Sequence, residues 1–106
     1  ADGVSVHWIG GHSMGLQSVR VRTQAGWMVL ASDAAHYYEN LFKRKLFPIV
    51  ADTGQMLRGF DRLTRLASKP ELIVPGHDPL VRKIFADGPA AHITRLDQGP
   101  IKELFL

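Results

Sequence analysis

V-L-A-S-D-A-A, residues 29–35, places the carboxylate of Asp33 directly after a continuous apolar run. The run itself, residues 27–31, has the composition of a strand that is buried in a sheet. Ser32 and Asp33 mark a change of character, because residues 34–42 suit a short helix and either residue is a good helix N-cap. The stretch therefore predicts a buried strand that ends at Asp33. Helix capping is the simplest role for this carboxylate, and ligand binding is the other.

Two further strands precede this one. Residues 4–9, V-S-V-H-W-I, alternate between apolar and polar side chains until Gly10 and Gly11 end the pattern. Residues 16–23 alternate again, and the short Q-A-G sequence at 24–26 is typical of a hairpin turn. The first third of the chain therefore predicts three strands, at least two of them antiparallel neighbours.

Helices and one more strand follow. A helix is expected to begin at Asp52 or Thr53 and to end near Ser68, since Pro70 disfavours helical geometry in the residue before it. Residues 72–74 predict a short buried strand that runs into the loop P-G-H-D-P at 75–79, with a short helix over 80–85. Residues 86–106 carry no clear pattern. The apolar face of the long helix is formed by Met56, Leu57, Phe60, Leu63 and Ala67.

Composition limits the classes of function. The chain has 106 residues, 45% hydrophobic and 22% charged, which fits one small globular domain. It has no cysteine, so any metal site must use His, Asp or Glu. No apolar run reaches the length of a membrane span, no signal-peptide pattern opens the chain, and we expect a cytoplasmic protein. The net charge of +3 raises nucleic acid as a partner, but the arginines at 58, 62 and 65 are better explained as a solvated helix face.

Three polar residues follow predicted strands. His12 comes after Gly11, Asp33 after the apolar run, and His77 after Gly76. Loops held by a rigid sheet commonly present ligands, and two histidines with one carboxylate suit zinc or another borderline divalent metal. Taken singly, His12 is explained as a turn residue, Asp33 as an N-cap and His77 as an exposed loop residue. Together they predict a site at one end of the sheet.

The order of three motifs carries a resemblance. G-H-S-M-G-L-Q-S-V at 11–19, V-L-A-S-D-A-A at 29–35 and I-V-P-G-H-D-P at 73–79 resemble the second half of metallo-β-lactamase-fold hydrolases. S-D-A-x-x-Y together with V-P-G-H-D-P is most similar to the N-acyl-homoserine lactonase branch. The resemblance implies an α/β (α+β type) fold: the C-terminal βα half of an αββα sandwich, a mixed sheet with helices on one face. Residues 1–106 would then be a single partial domain, without the N-terminal half.

The resemblance also implies a site and a reaction. His12 would complete the ligands of one metal ion, His77 would bind a second, and Asp33 would bridge the two, with zinc as the expected metal and another divalent ion as the alternative. Metal-bound hydroxide would attack a lactone or ester-like carbonyl in the complete protein. The family's H-x-H-x-D-H motif is missing from this chain, so the isolated chain is expected to be inactive.

A tyrosine position differs from the family pattern. The lactonases place a substrate-binding Tyr three residues after the bridging Asp, where this chain has His36, followed by Tyr37 and Tyr38. These three side chains, with Asp33, are the candidate catalytic residues. Asp78 has two open roles, as the acceptor for a metal-bound imidazole or as the cap of the helix that follows.

Two other functions remain as alternatives. One is a different hydrolase or oxygenase on the same fold, such as a glyoxalase-like thioester hydrolase, because fold does not fix substrate. The other is a non-catalytic binding module with residual motifs. If the chain is part of a hydrolase of this fold, the valines of its strands present more apolar surface than a single layer of helices can cover. We therefore expect the uncovered sheet face to meet the missing N-terminal half or a second copy of the chain.

Overall fold

The computed structural model describes residues 2–106 and has a mixed α+β architecture. A four-stranded sheet forms its centre, and a separate two-stranded sheet lies near its C-terminal end. The mixed α+β fold class expected from the sequence is confirmed, but helices lie on both faces of the four-stranded sheet and not on one. The strands are β1 (Val4–Trp8), β2 (Gln17–Thr23), β3 (Gly26–Ser32), β4 (Ile73–Pro75), β5 (Phe85–Asp87) and β6 (Thr94–Pro100), and the helices are α1 (Tyr38–Phe42), α2 (Thr53–Leu66) and α3 (Leu80–Ile84).

The pairing of β3 with β4 positions the loops of interest. The sheet order is β1-β2-β3-β4, with the first three strands antiparallel and β4 parallel to β3. Ser32 pairs with Pro75, so both strands end at the same edge of the sheet. Because the chain leaves parallel strands at a common edge, the residues that follow Ser32 and Pro75 emerge side by side.

Helix α2 covers one face of the sheet as the periodicity predicts. Its N-cap is Asp52, whose Oδ1 accepts a hydrogen bond of 2.9 Å from the Gln55 backbone N–H. The apolar face of α2 is buried against the centres of β3 and β4. The buried residues at this contact are Met56, Phe60 and Leu63 from the helix and Val29, Ala31 and Ile73 from the sheet.

The opposite face of the sheet is only partly covered. One half, which includes Met28 and Val74, packs beneath side chains from α1, α3 and β5. The other half is open, and Val6 on the edge strand β1 is 57% exposed. The open half is formed by Val4, Val6, Val19 and Leu30, and we call it the open sheet face.

Two elements differ from the sequence prediction. The helix expected over 34–42 is limited to α1, Tyr38–Phe42. Residues before it form turns because the carbonyls of Ala35 and His36 accept hydrogen bonds from the 76–77 loop and not from a following helical turn. The pair β5–β6 was not predicted, since its polar, irregular sequence has no clear period of two.

Among residues 2–106, no helix has both the length and the apolar character that a membrane crossing requires.

Candidate metal centre

Four ionisable side chains meet at the edge where β3 and β4 end. Nε2 of His77 lies 2.6 Å from Oδ1 of Asp33, and Nε2 of His36 lies 3.4 Å from the same oxygen. Nε2 of His12 lies 3.7 Å from the other oxygen, Oδ2. The structure thus brings His12, Asp33 and His77 together and adds His36 to them. Every imidazole presents its Nε2 to the one carboxylate.

Asp33 reaches this position through an irregular end of β3. The ladder with β4 shifts between Leu30 and Ser32, and Ser32 has a φ of 53°. This left-handed backbone is uncommon for a residue with a side chain, and such strain is concentrated at functional sites. The bend directs Asp33 away from the strand axis and into the cluster.

The His12 loop is fixed against the start of α2. Gly11 has a φ of 88°, and a Cβ at this position would lie 2.8 Å from the Met56 Cα, so only glycine allows the approach. The Gly11 carbonyl accepts hydrogen bonds from the backbone N–H groups of Ala51 and Asp52, at 2.9 and 3.0 Å. The backbone that carries His12 is therefore held by the helix.

The orientation of the His12 ring follows from a single hydrogen bond. Nδ1 lies 2.7 Å from the carbonyl oxygen of Ile49, which can only accept, so Nδ1 is the donor. In the neutral imidazole this leaves the lone pair on Nε2, the nitrogen that faces Asp33. Metal-binding histidines are typically oriented in this way.

His77 is positioned by two backbone hydrogen bonds to the loop after Asp33. The Gly76 N–H donates to Ala35 and the His77 N–H donates to the His36 carbonyl, both at 2.9 Å. The loops are so close that a Cβ on Gly76 would lie 2.6 Å from the Ser32 carbonyl oxygen. A glycine immediately before His77 is therefore required by contact.

His36 is held by an aromatic residue that the sequence analysis did not select. Its ring stacks on Phe47, with centroids 3.8 Å apart and planes 14° from parallel. It also meets the His77 ring edge-on at 4.4 Å. Phe47 is buried among exposed neighbours in the segment 43–48, and no periodic pattern in this irregular connection singled it out.

The cluster shifts the ionisation of two members. The hydrogen bond from His77 lowers the pKa of Asp33, and the nearby imidazoles add to this effect, against the opposing effect of burial. Burial lowers the pKa of His36, and the proximity of His77 lowers it further. The cluster therefore favours a carboxylate and a neutral imidazole, the forms that bind metal ions.

The donor set fits a borderline divalent metal. Nitrogen from imidazole and oxygen from carboxylate are the ligands that zinc takes in the absence of thiolates. The ligand atoms of Asp33, His36 and His77 all lie within 4.8 Å of one another. Among residues 2–106 no other group of three such side chains is this close.

The two tyrosines of the candidate list occupy different environments. Tyr37 is exposed at the rim, with its ring 6.3 Å from that of His36. Tyr38 is fully buried beneath the sheet, where burial raises the pKa of its phenol. Within the described part of the chain, its hydroxyl has no hydrogen-bond partner. Only Tyr37 is placed to meet a molecule at the cluster.

Asp78 acts on backbone groups. Its Oδ1 accepts a hydrogen bond from the Leu80 N–H and its Oδ2 accepts one from the Tyr38 N–H, both at 2.9 Å. The carboxylate therefore ties the backbone at the start of α3 to the backbone at the start of α1. Of the two roles left open by the sequence, these contacts favour a structural one, although the N-cap of α3 is Pro79.

No protein-family model matches the sequence, and no curated protein matches it. Solved structures do match. A 1.4 Å structure of N-acyl homoserine lactone hydrolase, with the product N-hexanoyl-L-homoserine bound at the catalytic metal center, has 29% identity and a TM-score of 0.68. The match covers 78% of this chain and 34% of that chain.

Two other solved structures agree with this match. A B. thuringiensis AiiA variant with N-decanoyl-L-homoserine bound at the active site has 29% identity and a TM-score of 0.68, over 78% of this chain and 34% of that one. A quorum-quenching N-acyl homoserine lactone hydrolase has 30% identity and a TM-score of 0.63, over 73% and 32%. The chain thus spans about a third of the length of these lactonase structures and has the fold of that part of a metallo-β-lactamase-fold hydrolase.

Proposed function

We propose that this chain, which shares its fold with part of the metallo-β-lactamase-fold lactonases, belongs to a metal-dependent hydrolase that opens a lactone or cleaves a similar ester-like carbonyl. The observation that carries the proposal is the convergence of Nε2 atoms from His12, His36 and His77 on the Asp33 carboxylate. The similarity to enzymes solved with homoserine products supports the lactone class.

The proposed metal ligands are His12, Asp33 and His77. The two oxygens of Asp33 face different imidazoles, Oδ1 towards His77 and Oδ2 towards His12, which suits a carboxylate that bridges two cations. Zinc is the proposed metal, and two ions are proposed for the complete site. Such ions would supply a water of lowered pKa and would polarise the substrate carbonyl.

The remaining residues prepare the site for substrate. The Ile49 carbonyl fixes the ring of His12, and the 76–77 loop fixes His77 beside Asp33. Tyr37 is the proposed contact to the substrate, because its side chain is exposed beside the cluster. Tyr38 is left out of this role, since it is buried in the core.

We further propose that residues 1–106 form a partial domain. The match covers 34% of the lactonase chain, and the His12 side of Asp33 has fewer than the three protein ligands of a typical catalytic zinc. Additional ligands would come from polypeptide outside these residues. The isolated chain is therefore expected to show no enzyme-like turnover.

The open sheet face would be covered in the complete assembly. A contiguous apolar patch of several hundred Å² is rare on a soluble monomer. Each Å² of apolar surface that stays in contact with water lacks roughly 25 cal/mol of stabilisation that burial would provide. The neighbouring half of the same face is already covered by this chain's own C-terminal elements. The proposed occupant is a second sheet, either from the rest of the protein or from a second copy.

A ring-opening assay on the zinc-loaded native protein that carries this chain tests the function. We expect N-hexanoyl-L-homoserine lactone to be opened, with release of a proton that a pH-stat records. Asp33→Ala should lower the rate by more than about 100-fold, since even residues that only support metal ligands are worth 10- to 100-fold. The exposed His92 provides a matched control, His92→Ala, with unchanged rate.

A substrate panel distinguishes the alternatives. Preference for a thioester over the lactone would favour the alternative function, a glyoxalase-like thioester hydrolase. Absence of hydrolysis with both substrates would overturn the proposal and favour a non-catalytic module.

A further inference from the structure

His36 occupies the position where the resemblance places a substrate-binding tyrosine, and its imidazole faces the Asp33 carboxylate directly. Its Nε2 is 3.4 Å from Oδ1 of Asp33, the oxygen that also faces His77. The other oxygen, Oδ2, faces only His12 among these residues, at 3.7 Å. The two sides of the Asp33 carboxylate are therefore unequal. One has two imidazoles and the other has one.

The distances on the Oδ1 side suit a single cation. Zinc binds nitrogen and oxygen at about 2.0–2.2 Å, so neighbouring ligand atoms of a tetrahedral site lie roughly 3.3–3.5 Å apart. The separation between His36 and Asp33 already has this value. The 2.6 Å contact between His77 and Asp33 is a hydrogen bond, whose proton a metal ion would replace.

The His36 side chain is fixed in this orientation. It is stacked on Phe47, it contacts the His77 ring, and it is 16% exposed. Its own backbone carbonyl accepts the hydrogen bond from the His77 N–H, so the two residues are joined through their backbones as well as through their rings. A ligand held by packing on both sides loses little conformational freedom when a metal binds.

We propose that His36 is itself a metal ligand, and that Asp33 Oδ1, His36 and His77 form a three-ligand site for one divalent cation that this chain builds without outside residues. Three protein ligands and an open position are the usual set of a catalytic zinc. The His12 side remains incomplete within the described residues and fills only when further ligands are added. This inference rests on the proposed function, because it assigns the ligands of the same site.

Cobalt(II) is the probe for the test, since it replaces zinc and its visible absorption reports the ligands. The 106-residue chain is titrated with Co²⁺ by calorimetry and by absorption. We expect about one tightly bound equivalent for the wild type and for His92→Ala. His36→Ala should weaken this equivalent by at least about 10-fold and change the visible spectrum.

The outcomes separate the inference from the proposed function. If His36→Ala binds Co²⁺ with wild-type affinity and spectrum while His77→Ala loses it, His36 is not a ligand and the proposed function stands. If the wild type binds no Co²⁺, both fail. Circular dichroism checks the fold of each variant. If the alanine variant unfolds, His36→Gln, which retains a polar side chain against Phe47, gives the same comparison.

Discussion

Oδ1 of Asp33 lies 2.6 Å from Nε2 of His77, although 44 residues separate the two in the chain. The contact follows from the parallel pairing of β3 with β4, which ends both strands at one edge of the sheet. The loops after the strands are then joined by hydrogen bonds from Gly76 and His77 to Ala35 and His36. The site is thus built from the order of strands in the sheet, with α2 crossing over between the two strands.

Gly76→Ala tests how closely the two loops must approach. The added Cβ would lie 2.6 Å from the Ser32 carbonyl oxygen, so the 76–77 loop must move and carry His77 away from Asp33. We expect a loss of roughly 1–3 kcal/mol in the free energy of unfolding and weaker zinc binding. Chemical denaturation measures the free energy of unfolding, and calorimetry measures the zinc affinity.

Gly15→Ala is the matched control for this change, because no atom outside its immediate neighbours lies within 4 Å of its added Cβ. Equal zinc affinity in both variants would mean that the Gly76 contact does not position His77.

Tyr38→Phe distinguishes a core residue from a catalytic one. The buried hydroxyl has no partner among residues 2–106, and an unsatisfied buried polar group is costly. We expect the variant to gain roughly 1 kcal/mol in the free energy of unfolding, with zinc affinity unchanged. Urea denaturation provides the measurement. A destabilised variant with altered metal binding would return Tyr38 to the catalytic list.

The pH dependence of stability follows from the shifted pKa values. Burial lowers the pKa of His36, so below its ordinary value of 6.5 the unfolded chain binds a proton that the folded chain excludes. The metal-free chain should therefore lose stability as pH falls from above 6.5 towards the lowered pKa. The His36→Gln variant should lose less stability over the same pH range. Denaturant unfolding of both proteins at several pH values measures the difference. Parallel losses in the two proteins would contradict this origin.

Asp33 contributes to the pH dependence of stability in a lower pH range than His36. Its pKa is depressed by the His77 hydrogen bond, so its contribution to stability is complete above its ordinary pKa of 3.8 and is lost as pH falls through the depressed value. Both groups therefore destabilise the chain on acidification, in separate pH ranges.

The open sheet face should drive association of the chain. Val6, on the edge strand β1, is 57% exposed and pairs with Val19 on β2. We expect light scattering to find self-association of the 106-residue chain, and Val6→Glu to reduce it by placing a charge in the contact. Gln24→Glu, in the exposed turn between β2 and β3, adds the same charge elsewhere as a control. A monodisperse wild-type monomer would contradict the prediction.

The sequence predicted the parts of the fold that depend on local patterns. The alternation in residues 4–9 and 16–23 and the apolar face of Met56, Phe60 and Leu63 were sufficient for β1, β2 and α2. The short extent of α1 was not predictable, because it depends on hydrogen bonds between Ala35 and a loop 41 residues later. Local propensity contains no information about such a partner.

The residues of the site could also be predicted only where a local sequence pattern marks them. Glycines before His12 and His77 and an apolar run before Asp33 were visible in the sequence, and the structure places these three residues together. The support from Phe47 and from the Ile49 carbonyl was not visible, since both belong to an irregular connection. The burial of Tyr38 was likewise hidden, because its neighbour Tyr37 is equally aromatic but exposed.

Zinc binding by the chain measures the role of the cluster most directly. Equilibrium dialysis against Zn²⁺, with bound metal counted by mass spectrometry, compares the wild type, Asp33→Ala and His92→Ala. The cluster around Asp33 predicts about one zinc ion bound to the wild type and to His92→Ala, and an affinity lower by more than about 100-fold in Asp33→Ala. A folded wild-type chain that binds no zinc, or an Asp33→Ala variant that binds it equally well, would contradict the assignment of this cluster as a metal centre.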